Sequence, residues 1–326
     1  EWDVEGPDAM DEQAIADDQL RLVFTCCHPA QSPEAQVALT LREVGGLTTE
    51  DVASAFLLPV PTMAQRIVRA KAKIRDEKIP YRTPERSELP ERLEYVLAVL
   101  YLIFNEGYAA SPAYSGKRAT LAAEAIRLCR HLVALLPDAE ATGLLALMLL
   151  QDSRRAARLT DDGGLVLFED QDRGLWDRAK IEEGCRLAAT ALAGDEIGTY
   201  AIQAAIAVEH AAAFDRDVDW RRVVALYDLL LKAQPSPVAA LNRAAAIAMR
   251  DGPEAGLAVI DTLVGHQGLA GYQPALIARG ELLRRAGRRG EARAAFAAAL
   301  DLKGSDDVRR FVQERLAELS STPRTP

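Results

Sequence analysis

A basic stretch over residues 60–82 contains the side chains with the clearest potential chemistry in this sequence. It holds seven lysine and arginine residues and two acidic ones, which gives it a local charge of +5. Arginine can donate paired hydrogen bonds to guanine and glutamine can pair with adenine, whereas lysine contacts phosphate groups. Gln65 together with these cations therefore favours contact with nucleic acid, and an ordinary solvated basic surface is the alternative.

Four helices predicted over residues 17–75 would position these side chains. Ser32 and Pro33 predict the N-terminus of the second helix, and Gln36 is the expected reciprocal capping partner. Gly45 and Gly46 predict its end.

The third and fourth helices predict a helix-turn-helix, in which the second helix of the pair enters the major groove of DNA. The fourth helix is expected to begin near Thr62 after a proline-rich turn over residues 57–61. Its predicted apolar stripe is Met63, Ile67, Ala70 and Ile74. The candidate contacts to bases are Thr62, Gln65, Arg66 and Arg69, and the candidate contacts to phosphate are Lys71 and Lys73.

The net charge of −9 does not exclude a nucleic-acid partner, because the acidic residues are concentrated at one end. Residues 1–18 hold eight acidic side chains and no basic one, and the rest of the chain is close to neutral. DNA responds to a local basic surface rather than to the charge of the whole chain. We interpret residues 1–16 as an acidic linker.

The composition predicts an all-α protein. Alanine and leucine are abundant while aromatic residues reach only 6%, which favours helices over strands. No stretch is apolar enough to span a membrane, and no signal peptide is recognised. The four cysteines are Cys26, Cys27, Cys129 and Cys185, and we interpret them as reduced thiols of a cytoplasmic protein.

Proline positions and a loose repeat predict the domain organisation. We predict a helix-turn-helix domain over residues 17–78 and a proline-rich linker over residues 79–90. Helices then fill residues 91–180, the first of them starting at Leu93. Residues 181–320 carry a repeat of 32 to 37 residues, which predicts a solenoid of helix pairs similar to tetratricopeptide repeats. Its turns are expected at Gly252 and Gly287, with small residues where paired helices cross.

An acidic, glycine-rich segment over residues 159–178 interrupts the helical periodicity of the sequence. Its candidate regulatory residues are Asp161, Asp162, Gly163, Gly164, Asp170, Asp172, Arg173 and Trp176. A small-ligand or hard-cation site is one interpretation, since clustered carboxylates suit such metals. A structural loop with a packed tryptophan is the other, and no calcium-loop spacing is present.

Enzymatic and cofactor motifs are not recognised in this sequence. It contains no phosphate-binding glycine loop, no nucleophile elbow and no zinc-binding pair of histidines on one helix. Cys26 and Cys27 are adjacent rather than spaced as metal ligands, so we interpret them as packing residues. We therefore expect no enzyme activity, no cofactor and no metal.

Residues 32–76, SPEAQVALTLREVGGLTTEDVASAFLLPVPTMAQRIVRAKAKIRD, resemble region 4 of sigma factors of the sigma-70 family, extracytoplasmic-function type. The strings TCCHPA, LYLIFNEGY, LVLFEDQDRGLWD and PSPVAALNRAAAIAM resemble the subgroup with a C-terminal tetratricopeptide-like extension. This resemblance implies that Thr48 and Thr49 open the supporting helix and that residues 61–73, Pro61 included, read or clamp the promoter −35 element. The sequence departs from the usual pattern of region 4 at two places. One is the turn Leu57-Leu58-Pro59, and the other is Ala64, which occupies a position that is commonly polar.

The resemblance implies promoter DNA and the RNA polymerase core as partners. It also implies a helical extension that regulates activity, through protein interaction or through an intramolecular contact with region 4. No domain resembling region 2 precedes residue 17, so we expect the chain to be part of a longer sigma factor. The alternative function is a helix-turn-helix regulator whose helical part senses a small molecule or a metal.

Overall fold

The structure, a computed structural model, confirms the all-α fold. It describes residues 18–56, 58–108, 115–160, 164–194, 197–214, 217–264, 269, 271–302 and 306–320. These residues form fifteen α-helices joined by turns and short 3-10 segments, and their β-structure is limited to a single bridge between Leu159 and Leu165. The chain divides into two compact units, Glu1–Met148 and Leu149–Pro326.

The first unit contains the four helices predicted from the sequence and two longer ones. They are α1 (residues 18–26), α2 (Pro33–Leu39), α3 (Thr49–Ala55), α4 (Val60–Asp76), α5 (Leu89–Tyr108) and α6 (Ser115–Leu135). A π-helical turn over Thr40–Val44 prolongs α2, and α7 (Ala139–Asp152) begins in this unit.

The N-terminus of α2 is capped as predicted, but one of its expected partners is used elsewhere. The Ser32 hydroxyl accepts a hydrogen bond from the Ala35 amide, and Pro33 occupies the first turn. Gln36 lies one residue too far along the helix for a capping box, so that part of the prediction is wrong. Its amide donates instead to the carbonyl oxygens of Cys27 and His28, and thereby ties α2 to the end of α1.

Two helices begin earlier than the sequence predicts. α4 starts at Val60 rather than near Thr62, and α5 starts at Leu89 rather than at Leu93. In both cases a proline, Pro61 or Pro90, lies in the first turn of the helix. The missing amide hydrogen of proline costs nothing there, because the amides of the first turn have no partner within the helix.

α5 and α6 pack along each other and against the small helices. α5 contacts α2, and α6 contacts α3. Arg92 of α5 donates to the Phe24 carbonyl at 2.7 Å, and the rings of Phe24 and Phe104 are buried. The first unit thus includes the expected linker over residues 79–90 and helices on both sides of it. Since one compact unit can hold two domains, the domain limits stay a prediction.

The second unit is a series of helices that pack on their sequence neighbours. They are α8 (Arg178–Ala191), α9 (Thr199–Ala211), α10 (Trp220–Ala233), α11 (Pro237–Asp251), α12 (Pro253–Val264), α13 (Gln273–Arg285), α14 (Arg289–Leu300) and α15 (Asp306–Ser320). Gly252 and Gly287 adopt positive φ angles of 100° and 75° in the turns after α11 and α13. The structure therefore confirms the turns predicted at these two glycines.

Small residues lie where paired helices cross, as predicted. A methyl group on Gly256 of α12 would lie 2.5 Å from the Ala248 side chain of α11. A methyl group on Gly280 of α13 would lie 2.9 Å from the ring of Phe296 in α14. Both crossings are therefore too close for any residue with a side chain.

A cluster of tilted aromatic rings in this unit contains a histidine. The ring of His210 lies 5.3 Å from that of Phe168 and 5.8 Å from that of Trp220. Burial, assisted by the positive charge of Arg154, lowers the pKa of His210 from 6.5 to about 4. The imidazole is therefore neutral in the folded protein at neutral pH.

Replacing Gly280 by alanine is expected to destabilise the second unit by about 1–3 kcal/mol, because the new methyl group overlaps the Phe296 ring. Urea unfolding followed by circular dichroism measures the change. Gly290→Ala in α14 is the matched control. A methyl group there meets no neighbouring atom within 4 Å, so the variant is expected to gain about 0.4–1 kcal/mol. Equal stability of the two variants would contradict the close crossing.

The neutral state of His210 predicts a loss of stability in acid. Between pH 6.5 and about 4 the unfolded chain binds a proton at this residue and the folded chain does not, so stability falls as pH decreases through that window. We expect the wild type to lose about 1–3 kcal/mol more than His210→Phe over this range. Urea unfolding at pH 7 and pH 4.5 gives the comparison, and identical losses in both proteins would contradict the assignment.

Candidate DNA-binding surface

Thr48 and Asp51 fix the start of α3, the supporting helix of the helix-turn-helix. The Thr48 hydroxyl accepts from the Asp51 amide at 3.1 Å and donates to the Asp51 carboxylate at 2.7 Å. The carboxylate also accepts from the Thr48 amide, so the pair forms a reciprocal capping box. Val52 and Ala53 then point into the core with no exposed surface. Thr48 is exposed, and Thr49 is partly exposed in the first turn.

One side of α4 is buried and the other faces solvent. Met63, Ile67 and Ala70 are buried as predicted, while Ile74 is only partly buried. Gln31, in the turn before α2, donates from its side-chain amide to the Ala70 carbonyl at 2.9 Å. These contacts fix the rotation of α4 about its own axis, and so decide which side chains point outward.

The outward side of α4 presents most of the residues selected from the sequence. Pro61, Thr62, Gln65 and Arg69 are exposed, and Arg66 is partly exposed. Arg69 donates to the Gln65 side-chain oxygen at 3.4 Å. A shallow groove of about 360 Å³ separates this side of α4 from the start of α2. It is lined by Gln31, Ser32, Thr62, Gln65, Arg66, Arg69 and Lys73.

The two candidate phosphate contacts, Lys71 and Lys73, have partners within the domain. The Lys71 ammonium lies 2.9 Å from a carboxylate oxygen of Glu43 in the π-helical turn. The Lys73 ammonium donates to the Ala30 carbonyl at 2.6 Å and lies 3.7 Å from the Glu77 carboxylate. Both side chains keep a large exposed fraction, 53% for Lys71 and 42% for Lys73. Such half-exposed contacts are weak and can be exchanged for a phosphate at little cost.

Sequence reasoning did not select Val68, although it lies on the outward side of α4. Its exposed fraction is 64%, which exceeds that of the other large apolar side chains in the described part of the chain. The helical periodicity puts it beside Gln65 and away from the buried stripe, so a helical projection of residues 60–76 could have identified it.

Cys26 and Cys27 are buried, as the packing interpretation expects. Burial raises the pKa of both thiols, to about 12 for Cys27, so neither is ionised near neutral pH. The Cys27 sulfur lies 3.3 Å from the Thr40 hydroxyl. In the described ranges, no group of three histidine, cysteine or acidic side chains is arranged to hold a metal ion.

The structure describes only part of the acidic, glycine-rich segment. Asp161, Asp162 and Gly163 lie outside the described residues. The amide of Gly164 donates to the Thr160 hydroxyl at 2.8 Å, and the Asp172 carboxylate accepts from the Gly174 amide at 2.8 Å.

Of the remaining candidate regulatory residues in this segment, three are exposed to solvent and one is buried. Asp170, Asp172 and Arg173 are exposed, whereas Trp176 is only 4% exposed. The guanidinium group of Arg154 lies 5.8 Å from the Trp176 ring and 5.0 Å from that of Phe168. The packed tryptophan of the structural interpretation is therefore present.

A cavity of about 310 Å³ in the second unit adjoins this segment. Arg285 of α13 forms two contacts with the Glu169 carboxylate, at 2.8 and 3.1 Å, which hold the segment against the helices. The cavity is lined mainly by Arg154, Phe168, Glu169, His210, Trp220, Tyr227, Asn242, Met249 and Arg285. Nothing in the sequence indicates this cavity, because its walls come from segments far apart in the chain.

None of the helices in the described ranges is long and apolar enough to cross a membrane. Comparison with protein-family models gives two matches. Residues 24–74, which span α2 to α4 and the end of α1, match the family model described as "Sigma-70, region 4". Residues 92–192 match a family of unknown function (DUF6596).

One curated relative aligns with almost the whole chain. It is "Uncharacterized protein R00370" of Rhizobium meliloti (strain 1021), which is 43% identical over 320 residues. The alignment covers 98% of this chain and 75% of the relative. The chain therefore belongs to the same family as this Rhizobium protein, and it carries a sigma-70 region 4 domain.

Proposed function

We propose that this chain is the part of a sigma factor that recognises the promoter −35 element and helps to direct RNA polymerase in transcription initiation. The observation that carries the proposal is the outward side of α4 in a sigma-70 region 4 domain. Thr62, Gln65 and Arg69 are exposed there and Arg66 is partly exposed, all four on one helix. Region 4 is a DNA-binding module of transcription factors, and we propose no enzymatic role.

The helix is expected to enter the major groove with its N-terminal half against the base edges. Gln65 and Arg69 lie one helical turn apart, which suits hydrogen bonds with neighbouring base pairs. Lys71 and Lys73 are expected to leave Glu43 and Ala30 and to contact phosphates on either side of the groove. Thr48 and Thr49, at the start of α3, and Pro61, at the start of α4, would then lie near the DNA backbone.

We further propose that the chain belongs to the extracytoplasmic-function subgroup with a tetratricopeptide-like extension, and that it acts in the cytoplasm. The helix pairs of the second unit and the close crossings at Gly256 and Gly280 support a solenoid of this kind. The extension would act through the polymerase core or through region 4 itself. Transcription assays with and without residues 149–326, in the full-length sigma factor, would reveal whether it activates or inhibits.

Arg69→Ala is expected to weaken binding of promoter DNA about 10-fold and to relax the preference at one base pair, because a paired hydrogen bond to a base is lost. Arg66→Ala is expected to weaken it by a similar factor. Fluorescence anisotropy with a −35 duplex measures both effects. Arg309→Ala in α15 removes the same charge from an exposed position of the second unit and serves as control. An equal loss of affinity in all three variants would contradict base recognition by α4.

Lys73→Ala is expected to act differently from Arg69→Ala. A lost phosphate contact weakens all sequences alike and lowers the slope of log affinity against log salt by about 1. Titrations between about 50 and 200 mM salt, where counterion release changes the affinity strongly, give the slope. An unchanged slope in both Lys71→Ala and Lys73→Ala would contradict phosphate contacts by these lysines.

A second candidate function, sensing of a small molecule, is favoured by the cavity beside the acidic segment. Two arginines, an asparagine and three aromatic rings suit a ligand with a planar apolar part and an anionic group. Such a ligand would compete with Glu169 for Arg285. This pair is partly exposed, so exchanging one carboxylate for another costs little. Binding would thereby loosen the segment that the pair holds in place.

A cavity ligand present at 100 times its Kd is expected to raise the Tm by about 5 °C. Scanning fluorimetry with a panel of aromatic carboxylates and nucleotides is the measurement. The shift should vanish in Arg285→Met and persist in Arg279→Met, which alters the same helix at a residue paired with Asp261. No shift by any compound, or a shift that survives Arg285→Met, would contradict the sensor.

A further inference from the structure

We infer that Val68 determines part of the DNA specificity by contacting the C5 methyl group of a thymine in the major groove. This inference rests on the proposed binding of DNA by α4. Thymine is the base that presents an apolar group in the major groove, where small apolar side chains contact it. Val68 is placed to supply such a contact between the hydrogen-bonding side chains of the helix.

The exposure of Val68 is unusual for its residue type. With 64% of its surface exposed it leaves an isopropyl group in water in the middle of a 17-residue helix. The other large apolar residues in the middle of α4, Met63 and Ile67, are buried in the core. Val68 therefore contributes little to the packing of this domain.

Helix stability does not account for a valine at this position either. Valine forms helices less readily than alanine, lysine or glutamine because its branched side chain loses rotamer freedom. An exposed position in the middle of a helix is one where these better helix formers are expected. The valine side chain thus lowers the stability of the helix in the isolated domain, and a contact with DNA in the complex would offset this loss.

The neighbours of Val68 define the surface that it belongs to. Gln65 precedes it by three residues and Arg69 follows it directly, and both are exposed. Three residues of helix advance about 4.5 Å, and one base-pair step advances about 3.4 Å. Gln65 and Val68 can therefore meet adjacent base pairs. An adenine bound by Gln65 and a thymine beside Val68 would together favour an A·T-rich step.

Replacing single thymines by uracil tests the inference, because uracil pairs as thymine does and lacks only the methyl group. Duplexes that bind the full chain are first selected from a random-sequence library at low salt. Each thymine of the enriched duplex is then changed to uracil, and the affinity is measured by fluorescence anisotropy. We expect about a fourfold loss at one thymine, the equivalent of one buried methyl group.

A variant at position 68, measured with the thymine and the uracil duplex, forms a double-mutant cycle with the methyl group. Val68→Ala is expected to weaken the thymine duplex about fourfold and to bind the thymine and uracil duplexes equally well. Leu229→Ala removes a side chain that is 54% exposed in the second unit, and it should keep the full thymine preference. Circular dichroism of each variant checks that the helices are retained.

The other outcomes each overturn a specific statement. If no uracil substitution matters while an enriched sequence is bound, Val68 reads no methyl group and the proposed DNA binding stands. If Val68→Ala weakens both duplexes equally, its effect is indirect and the inference is wrong. If it reduces capture of RNA polymerase core without changing the thymine preference, Val68 belongs to a protein interface instead. If the library yields no bound DNA, the proposed function itself fails.

Discussion

The rotation of α4 about its own axis is the constraint on which the candidate site depends. Met63, Ile67 and Ala70 are buried along one side, and the amide of Gln31 holds the Ala70 carbonyl. Because side chains on a helix keep fixed angular relations, burying this stripe determines which residues point outward. A rotation of one residue, about 100°, would move Val68 toward the core and Met63 toward solvent. α5 and α6 close the unit by packing on α2 and α3, and Arg92 ties α5 to the end of α1.

The lysines and arginines on the outward side of α4 differ in their contacts within the domain. Lys71 and Lys73 have partners within the domain, Glu43 and Ala30, while Arg66 and Arg69 lie along the groove beside α4. Half-exposed lysine contacts contribute little to stability. If α4 binds DNA as proposed, each lysine can exchange this partner for a phosphate at little cost in stability. The domain thus satisfies its cations in the free state without removing them from the binding surface.

The sequence predicted those features that depend on local patterns. The apolar stripe of α4, the cap at Ser32, the turns at Gly252 and Gly287 and the small residues at helix crossings follow from spacing and residue type, and the structure confirms them. Gln36 was assigned to the wrong partner because its choice between a local amide and the end of α1 depends on tertiary packing. Val68 lies outside the predicted apolar stripe, and it was overlooked because only polar and charged side chains were considered as contacts to bases. The cavity could not be predicted, since six separate segments of the chain line it.

The acidic, glycine-rich segment is held in the second unit by contacts of two kinds with different consequences. The cluster of the Phe168, His210 and Trp220 rings is apolar and depends on a neutral imidazole, whose pKa is lowered by burial and by Arg154. The pair between Glu169 and Arg285 is partly exposed and easily exchanged. Loss of the ion pair alone would release the Glu169 side chain, while Phe168 and Trp176 still anchor the segment on either side of it. A ligand that competes for Arg285 would therefore change the segment locally and leave the helix pairs intact, as a regulatory site requires.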